Sequence, residues 1–270
     1  MTRSYLRFDR YHRILHGLLM ISFIGLAFTG MPLLFSEASW APYLSAAFGG
    51  PWSAGIVHRV FAVVLIATFV LHVFRLLHRL FVKEDLEILW GPASMTPQPR
   101  DVAEMIAHLR WFLRLGPRPE FDHFTYWEKF DYWAVFWGMG VIGTSGLMLW
   151  FPEFFSRFVP GSWFNVALLV HGEEGLLAAG FIFTIHFFNS HLRPEKFPVD
   201  PVIFGGRVTE HELAEERPAE YARLRAEGRL ADHETTPALP WTFTLARVVA
   251  AVAVTLGLVM VVLILSSTWF

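Results

Sequence analysis

The sequence predicts an all-α membrane protein: a four-helix transmembrane bundle followed by a fifth, C-terminal transmembrane helix. Hydrophobic residues make up 54% of the 270-residue chain and charged residues only 17%, whereas a soluble domain carries about 25% charged residues. The apolar residues gather in five long runs, and a helix of about 20 such residues crosses a bilayer. The chain has no cysteine, which excludes disulfides, thiolate-bound zinc, cysteine-ligated iron–sulfur clusters and covalent c-type haem.

The apolar runs divide the chain into three regions. They cover residues 14–35, 56–80, 132–151, 164–188 and 241–266. After a linker, GPASMTPQP (91–99), the segment 101–115 places Val102, Ile106 and Leu109 on one face at helical spacing, which is typical of a helix lying on the membrane surface. We therefore expect a helical bundle over 1–192, a polar cytoplasmic connector over 193–240 and a transmembrane helix over 241–270.

Lysine and arginine counts indicate the orientation of the spans. The N-terminal leader, the loop after the second run and the segment after the fourth are rich in these residues, whereas the two opposite loops hold only Arg157, with Arg59 at their edge. Because basic loops stay in the cytoplasm, we expect a cytoplasmic N-terminus and a periplasmic C-terminus. No basic stripe is dense enough to neutralise a row of phosphates, so we expect no nucleic-acid partner.

Two of the predicted spans carry a histidine towards each end. His58 and His72 are 14 residues apart, and His171 and His186 are 15 apart. At about 100° per residue, both members of a pair leave nearly the same helix face, about 21 to 22 Å apart along the axis. Both spans run from the outer side inward, so these side chains define an outer pair (His58, His171) and an inner pair (His72, His186). A haem fits between two such imidazoles, which bind its iron from opposite sides.

Two further histidines leave the inner pairing open. His16 lies at the inner start of the first span and could replace His72 as the partner of His186, or it could pair with His191 around a third haem. The competing interpretation is a haem-free membrane transporter whose histidines relay protons or bind metal. Such transporters use broken helices near the bilayer centre, and no proline interrupts the second or fourth run. We expect no other metal site.

Four stretches of the sequence resemble those of a known family. They are RYHRILHGLLMISFIGLAFTG (10–30), HRVFAVVLIATFVLH (58–72), FTYWEKFDYWAVFWGMGVIGTSGLMLWFP (124–152) and HFFNSHLRPEKFPVD (186–200). In order and spacing they resemble the membrane cytochrome b subunits of formate dehydrogenases, hydrogenases and thiosulfate reductases, and most closely the cytochrome b proteins found with multihaem c-type cytochromes. Such proteins are four-helix b-type cytochromes that hold two haems and exchange electrons with quinone.

The resemblance also implies roles for individual residues. His58 and His171 match the ligands of the outer haem, and His16 and His186 match those of the inner haem. The chain departs from the family pattern by adding His72, His191 and a fifth span, so the inner pairing and the number of haems, two or three, stay open.

The resemblance further implies a function. We expect the membrane subunit of a quinone-linked oxidoreductase in the bacterial inner membrane, passing electrons between the quinone pool and a redox partner subunit, either a multihaem cytochrome c or an iron–sulfur protein. The cofactor would be haem b, the substrate quinone or quinol, and the surroundings membrane lipid. Ionisable groups near the span ends are candidates for a quinone or proton site: Arg75, His78, Glu128, Lys129, Glu173 and Glu174.

Overall fold

The computed structural model describes residues 3–268, with side chains up to Ser267, so the predicted region limits at residues 1 and 270 lie outside it. The α-helices are Arg10–Leu34 (α1), Ala41–Ala47 (α2), Pro51–Phe81 (α3), Pro99–Phe112 (α4), Tyr126–Gly138 (α5), Thr144–Trp150 (α6), Pro152–Phe155 (α7), Ser162–Phe181 (α8), Val202–Gly205 (α9), Glu210–Glu216 (α10), Pro218–Ala226 (α11) and Pro240–Thr268 (α12). The strands are Ser4–Leu6 (β1), Arg207–Thr209 (β2) and Glu234–Thr235 (β3). Short 3₁₀ turns cover Leu86–Ile88 and Leu230–His233, and π-helical segments cover Met139–Gly143, Ile182–His186 and Phe188–Leu192.

Five continuous helical segments among the described residues are long and apolar enough to cross a membrane: Arg10–Leu34, Pro51–Phe81, Tyr126–Trp150, Ser162–Leu192 and Pro240–Ser267. The third consists of α5, a π-helical segment and α6, and the fourth consists of α8 and the π-helical segments that follow it. The predicted all-α membrane protein with five spans is confirmed. The third span begins at Tyr126 rather than at residue 132, because it also takes in charged residues. One of them, Lys129, is buried and donates to the Asp101 carboxylate of α4 at 2.7 Å, so its charge is paired inside the protein.

The contacts divide the chain into two compact units. One consists of the residues up to Arg13, His72–Val135 and Pro201–Phe243, and the other of Ile14–Leu71, Phe136–Asp200 and the residues from Thr244 onward.

A small antiparallel sheet, in the order β2-β1-β3, gives the first unit its core. Tyr5 of β1 lies opposite Val208 of β2 and packs with Leu213 of α10. After β1, the backbone N–H groups of Arg7 and Phe8 both donate to the carbonyl of Gly206, which has the left-handed φ of +74°. These contacts join the N-terminal leader to the connector.

Two helical segments of the first unit differ from their sequence patterns. Residues 210–230 suggest one solvated helix, but the structure has α10 and α11, separated at Pro218, because proline cannot continue a preceding helix. The predicted surface helix over 101–115 is α4, which starts at Pro99. It exposes the apolar side chains of Val102, Ile106, Leu109 and Phe112.

The second unit has an apolar core to which three spans contribute. Ala27 and Met31 of α1 pack with Phe183 and Phe187 of the fourth span, and α12 adds Ala253, Met260 and Ile264. Gly257 of α12 lies so close to Phe183 that a Cβ there would come within 2.7 Å of its ring. The fifth span therefore packs tightly against the fourth span and α1.

Candidate haem site

The outer histidine pair meets across α3 and α8 in the second unit. The ring centroids of His58 and His171 are 6.2 Å apart, with an interplanar angle of 76°. Two imidazoles on opposite sides of one iron place their centroids about 6 Å apart, because each metal–nitrogen bond is about 2 Å long and each ring centre lies about 1 Å further out. The observed separation therefore fits a metal ion held between the two rings.

The hydrogen bonds of His58 determine which ring nitrogen is available. The Thr29 hydroxyl, fully buried on α1, donates its one proton to the carbonyl of Gly25 at 2.7 Å. The same oxygen lies 2.9 Å from His58 Nδ1, and it must accept there because its proton is already used. Nδ1 of His58 therefore carries the hydrogen, and the Nε2 lone pair is left for a ligand bond.

His171 is oriented in the same way by a backbone group. Its Nδ1 lies 3.0 Å from the carbonyl of Ile142, in the π-helical segment of the third span. A carbonyl can only accept, so Nδ1 of His171 donates and Nε2 is again left for iron. Both outer imidazoles thus have the tautomer that leaves Nε2 for a metal. The position of Ile142 also fits a functional role, since π-helical turns are frequent at functional sites.

Two glycines lie directly beside these imidazole rings and leave room for them. A Cβ at Gly146 would lie 2.8 Å from Cε1 of His171, and a Cβ at Gly30 would lie 3.0 Å from Cε1 of His58. Any larger residue would push the ring from its place, because such distances are far below normal van der Waals contact. The pair is thus supported by hydroxyl, carbonyl and glycine neighbours, and all of these features fit an axially ligated haem.

A second histidine pair also lies in this unit. The rings of His16 on α1 and His186 on the fourth span have centroids 6.5 Å apart and an interplanar angle of 38°. Of the two partners that the sequence offered for His186, the structure places His16 at a distance suitable for a shared metal. Since His171 and His186 belong to one span and are 15 residues apart, the two pairs lie about 20 Å apart along it.

The remaining ligand candidates have different surroundings. His72 is buried in the first unit, where its Nε2 lies 2.9 Å from the Tyr132 hydroxyl and its Nδ1 lies 3.3 Å from the Tyr11 hydroxyl. His191 is buried beside Phe187, and its Nδ1 has no hydrogen-bond partner. Within residues 3–268 no group of three or more His, Cys, Asp or Glu side chains is arranged to hold a metal ion.

The quinone or proton candidates fall into several environments. Arg75 stacks over the Tyr11 ring, with its guanidinium 4.0 Å from the centroid. His78 is exposed in the last turn of α3, and Glu173 is exposed on α8. Three other candidates are hydrogen-bonded or paired. Glu128 accepts from Arg217 at 2.8 Å, Lys129 is paired with Asp101, and Glu174 accepts from the Trp137 indole at 3.3 Å.

Sequence reasoning missed the groups that hold the imidazoles. Thr29 is part of the resembling stretch 10–30, so its position before Gly30 was a usable signal. The carbonyl of Ile142 carries no side-chain signal. The tyrosine hydroxyls beside His72 come from other helices and could be paired with it only in three dimensions.

A buried ionic cluster in the first unit was also missed. Arg7, at 3.1 Å, and His123 both contact the Glu220 carboxylate, and both acid and guanidinium are almost fully buried. Burial alone would raise the pKa of Glu220, but the hydrogen bond from His123 and the charges of Arg7 and Arg217 outweigh it and lower that pKa to about 2. The cluster joins the leader, the loop before α5 and α11.

Comparison with known proteins identifies the family. A family model described as prokaryotic cytochrome b561 matches residues 7–192, well over half of the chain. The chain belongs to the prokaryotic cytochrome b561 family. As a cytochrome b561 family member it is a multi-pass membrane b-type cytochrome of electron transfer, and haem b is its cofactor. The matched residues contain both histidine pairs and leave out α9 to α12.

The relatives support the same conclusion. The formate dehydrogenase cytochrome b556(fdo) subunits of Escherichia coli strains K12, O6:H1 and O157:H7 are each 25% identical to this cytochrome b561 family member over 152 residues. The match covers 56% of this chain and 63% of each relative, so the chain spans less than two thirds of their length. The predicted resemblance to membrane cytochrome b subunits is confirmed.

Proposed function

We propose that this cytochrome carries electrons across the bacterial inner membrane between the quinone pool and a partner redox subunit. The cofactors are two b haems, one between His58 and His171 and one between His16 and His186. The haem iron, when bound, supplies one-electron chemistry with little rearrangement of its ligands. The protein holds His58 and His171 in the tautomer that leaves Nε2 for the iron, and it places the two sites at two levels of the same span.

The observation that carries the proposal is the matched geometry of the two pairs. Both have the ring separation of a metal held between two imidazoles, and they lie at two levels of the same span. Ionisable side chains inside a membrane cost free energy, so they usually mark functional sites, and two histidine pairs at two levels support a function for all four residues. The haem-free transporter has no comparable support, since nothing in proton relay requires rings at this distance.

The proposal assigns His16 rather than His72 to the inner haem. His72 has hydroxyl partners at both ring nitrogens, whereas an axial ligand needs one nitrogen for iron. His191, with its buried Nδ1 lacking a partner, is the remaining candidate ligand for a third haem.

The charge distribution and the relatives support the proposed orientation and partner. The excess of lysine and arginine in one set of loops supports a cytoplasmic N-terminus and a periplasmic C-terminus. The relatives are named as subunits of formate dehydrogenase, which supports a role as the membrane subunit of a larger oxidoreductase. The partner would be an iron–sulfur protein or a multihaem cytochrome c, and the membrane-soluble substrate quinone or quinol.

Haem content per chain tests this assignment. The purified wild type should contain two b haems by pyridine haemochrome. His58→Ala or His171→Ala should remove one and leave the other, and His16→Ala or His186→Ala should remove the second. The matched control is His211→Gln, which alters an exposed histidine of α10 that pairs with Glu215 and should keep both haems.

Each failure has a distinct meaning. A colourless wild-type chain would contradict haem binding altogether and would favour the haem-free transporter instead. Full haem content in a variant that lacks both His58 and His186 would contradict the ligand assignment. A third haem that is lost only in His191→Ala would correct the count and leave the two pairs in place.

A further inference from the structure

A hydrogen-bonded set of side chains surrounds His72 in the first unit. The Tyr132 hydroxyl of the third span and the Tyr11 hydroxyl of α1 lie at opposite ring nitrogens of His72, at 2.9 and 3.3 Å. The Tyr11 ring also stacks on the imidazole, with centroids 6.3 Å apart and planes at 21°, and the Tyr132 ring meets it edge-on. Three different helices therefore place the Tyr11 hydroxyl, the His72 imidazole and the Tyr132 hydroxyl in a row.

This order suits proton transfer more than packing. A neutral imidazole donates from one nitrogen and accepts at the other. His72 can therefore accept a proton from one hydroxyl while it gives a different proton to the second. Both ring nitrogens of His72 are directed at hydroxyls, which can both donate and accept a proton, whereas a backbone carbonyl could only accept.

The other end of the set reaches water. The Arg75 guanidinium covers Tyr11 and pairs with Asp9 at 3.5 Å, and Asp9 accepts from His12 at 2.8 Å. The side chains of these three residues are 42–44% exposed, whereas His72 is only 8% exposed. Asp9 immediately precedes α1, His12 lies in the first turn of α1 and Arg75 lies near the end of α3, so the set leads from the surface at one end of these spans to a buried imidazole.

We propose that Tyr11, His72 and Tyr132 form a proton-delivery chain to a quinone that binds beside Tyr132. This inference rests on the proposed function, which supplies the electrons. Reduction of a quinone to a quinol takes two electrons from the cytochrome and two protons, one for each carbonyl oxygen. Oxidation of a quinol runs through the same groups in reverse.

Each proton passes through the set by paired bond changes. The Tyr132 O–H bond breaks as its proton joins the quinone oxygen, and the Tyr132 oxygen takes the proton of His72 Nε2. His72 Nδ1 then takes the proton of the Tyr11 hydroxyl, and Tyr11 is reprotonated from water beside Asp9 and His12. The His72 ring returns to its first tautomer before the second proton follows the second electron.

The test uses the detergent-solubilised holoprotein and menadiol as the soluble quinol. His72→Gln keeps a donor and an acceptor at the site but cannot pass a proton between ring nitrogens, and Tyr132→Phe removes a single hydroxyl. Both variants should keep wild-type haem content and wild-type reduction by dithionite, which needs no proton route. Haem reduction by menadiol should slow by about 100-fold or more, since positioned proton transfer contributes about 10²- to 10⁴-fold, and its solvent deuterium isotope effect should rise.

Matched controls and contrary results separate the possibilities. Tyr43→Phe and His211→Gln alter highly exposed side chains outside this set and should leave the menadiol rate unchanged. Loss of one haem in His72→Gln would make His72 an axial ligand and overturn the relay. Wild-type menadiol rates in both His72→Gln and Tyr132→Phe would overturn the relay alone, whereas a wild type without haem would overturn the proposed function with it.

Discussion

Gly146→Ala adds one methyl group and should displace the imidazole of His171, the proposed ligand of the outer haem. The new Cβ would lie 2.8 Å from Cε1 and 3.2 Å from Nδ1 of His171. Carbon atoms pack at about 3.5 to 4.0 Å, so the ring must move by about 0.7 Å or more. A ligand position tolerates only about 0.5 Å of displacement. The displacement of the His171 ring is therefore larger than a metal site tolerates. Alanine itself stabilises a helix by about 1 kcal/mol relative to glycine, so the helix should still form.

We expect folded protein with a weakened outer haem. Disturbing the support of a metal ligand typically costs about 10- to 100-fold in affinity, so haem per chain should fall from two towards one after dilution and gel filtration. A redox titration followed at the b-type absorption bands should lose one of two components. Gly140→Ala is the matched control on the same span, because a Cβ there meets nothing within 4 Å. Its haem content should equal that of the wild type.

One result would refute this reasoning. If Gly146→Ala keeps two haems with unchanged midpoint potentials, the space beside His171 does not constrain the ligand. If Gly140→Ala loses haem to the same extent, the effect belongs to the helix backbone and not to contact with the imidazole.

Three further changes test other contacts. Thr29→Val should lower the affinity for the proposed outer haem by about 10-fold, because His58 Nδ1 loses the hydroxyl that accepts from it and keeps only its backbone contact with Leu26. Thr29→Ser keeps the hydroxyl and should retain haem as the wild type does, and haem retention measures both variants. Lys129→Met should lower the free energy of unfolding by about 3 to 5 kcal/mol, since it leaves Asp101 buried and unpaired, and adding Asp101→Asn should restore most of it in thermal melts. Glu220→Gln should destabilise the protein at pH 7. Because the pKa of Glu220 is lowered from 4.5 to about 2, its stabilisation is present above pH 4.5 and lost as the pH falls towards 2, so the melting difference from the wild type should shrink over that range.

The sequence predicts features that lie along a single helix. Run length and composition are enough for the five spans, and the rotation of about 100° per residue puts His58 and His72, or His171 and His186, on one face. Contacts between helices are not encoded in this way. The choice between His16 and His72 as the partner of His186 depends on how α1 and the fourth span approach each other, and the tyrosines beside His72 come from two other helices.

Short and buried polar features also escaped prediction for physical reasons. Strands of two or three residues, such as β1, carry no alternation from which to recognise them, and their pairing joins positions that are some 200 residues apart in sequence. The sequence alone suggests that Lys129 is a solvated charge, because its contact with the Asp101 carboxylate is visible only in the structure. The Glu220 cluster depends likewise on three distant segments. A hydropathy scale includes the free-energy cost of burying such charges, but it does not identify the side chains whose opposite charge offsets that cost.

The packing of α12 has a consequence for assembly. Its residues Ala253, Gly257 and Met260 already cover the sides of α1 and the fourth span that carry Met31 and Phe183. Another subunit's transmembrane helix cannot occupy the same sides, so oligomer contacts within the bilayer must form elsewhere on the molecule. α12 thus acts as a fixed neighbour of α1 and the fourth span, and it limits where another transmembrane helix can pack against this chain.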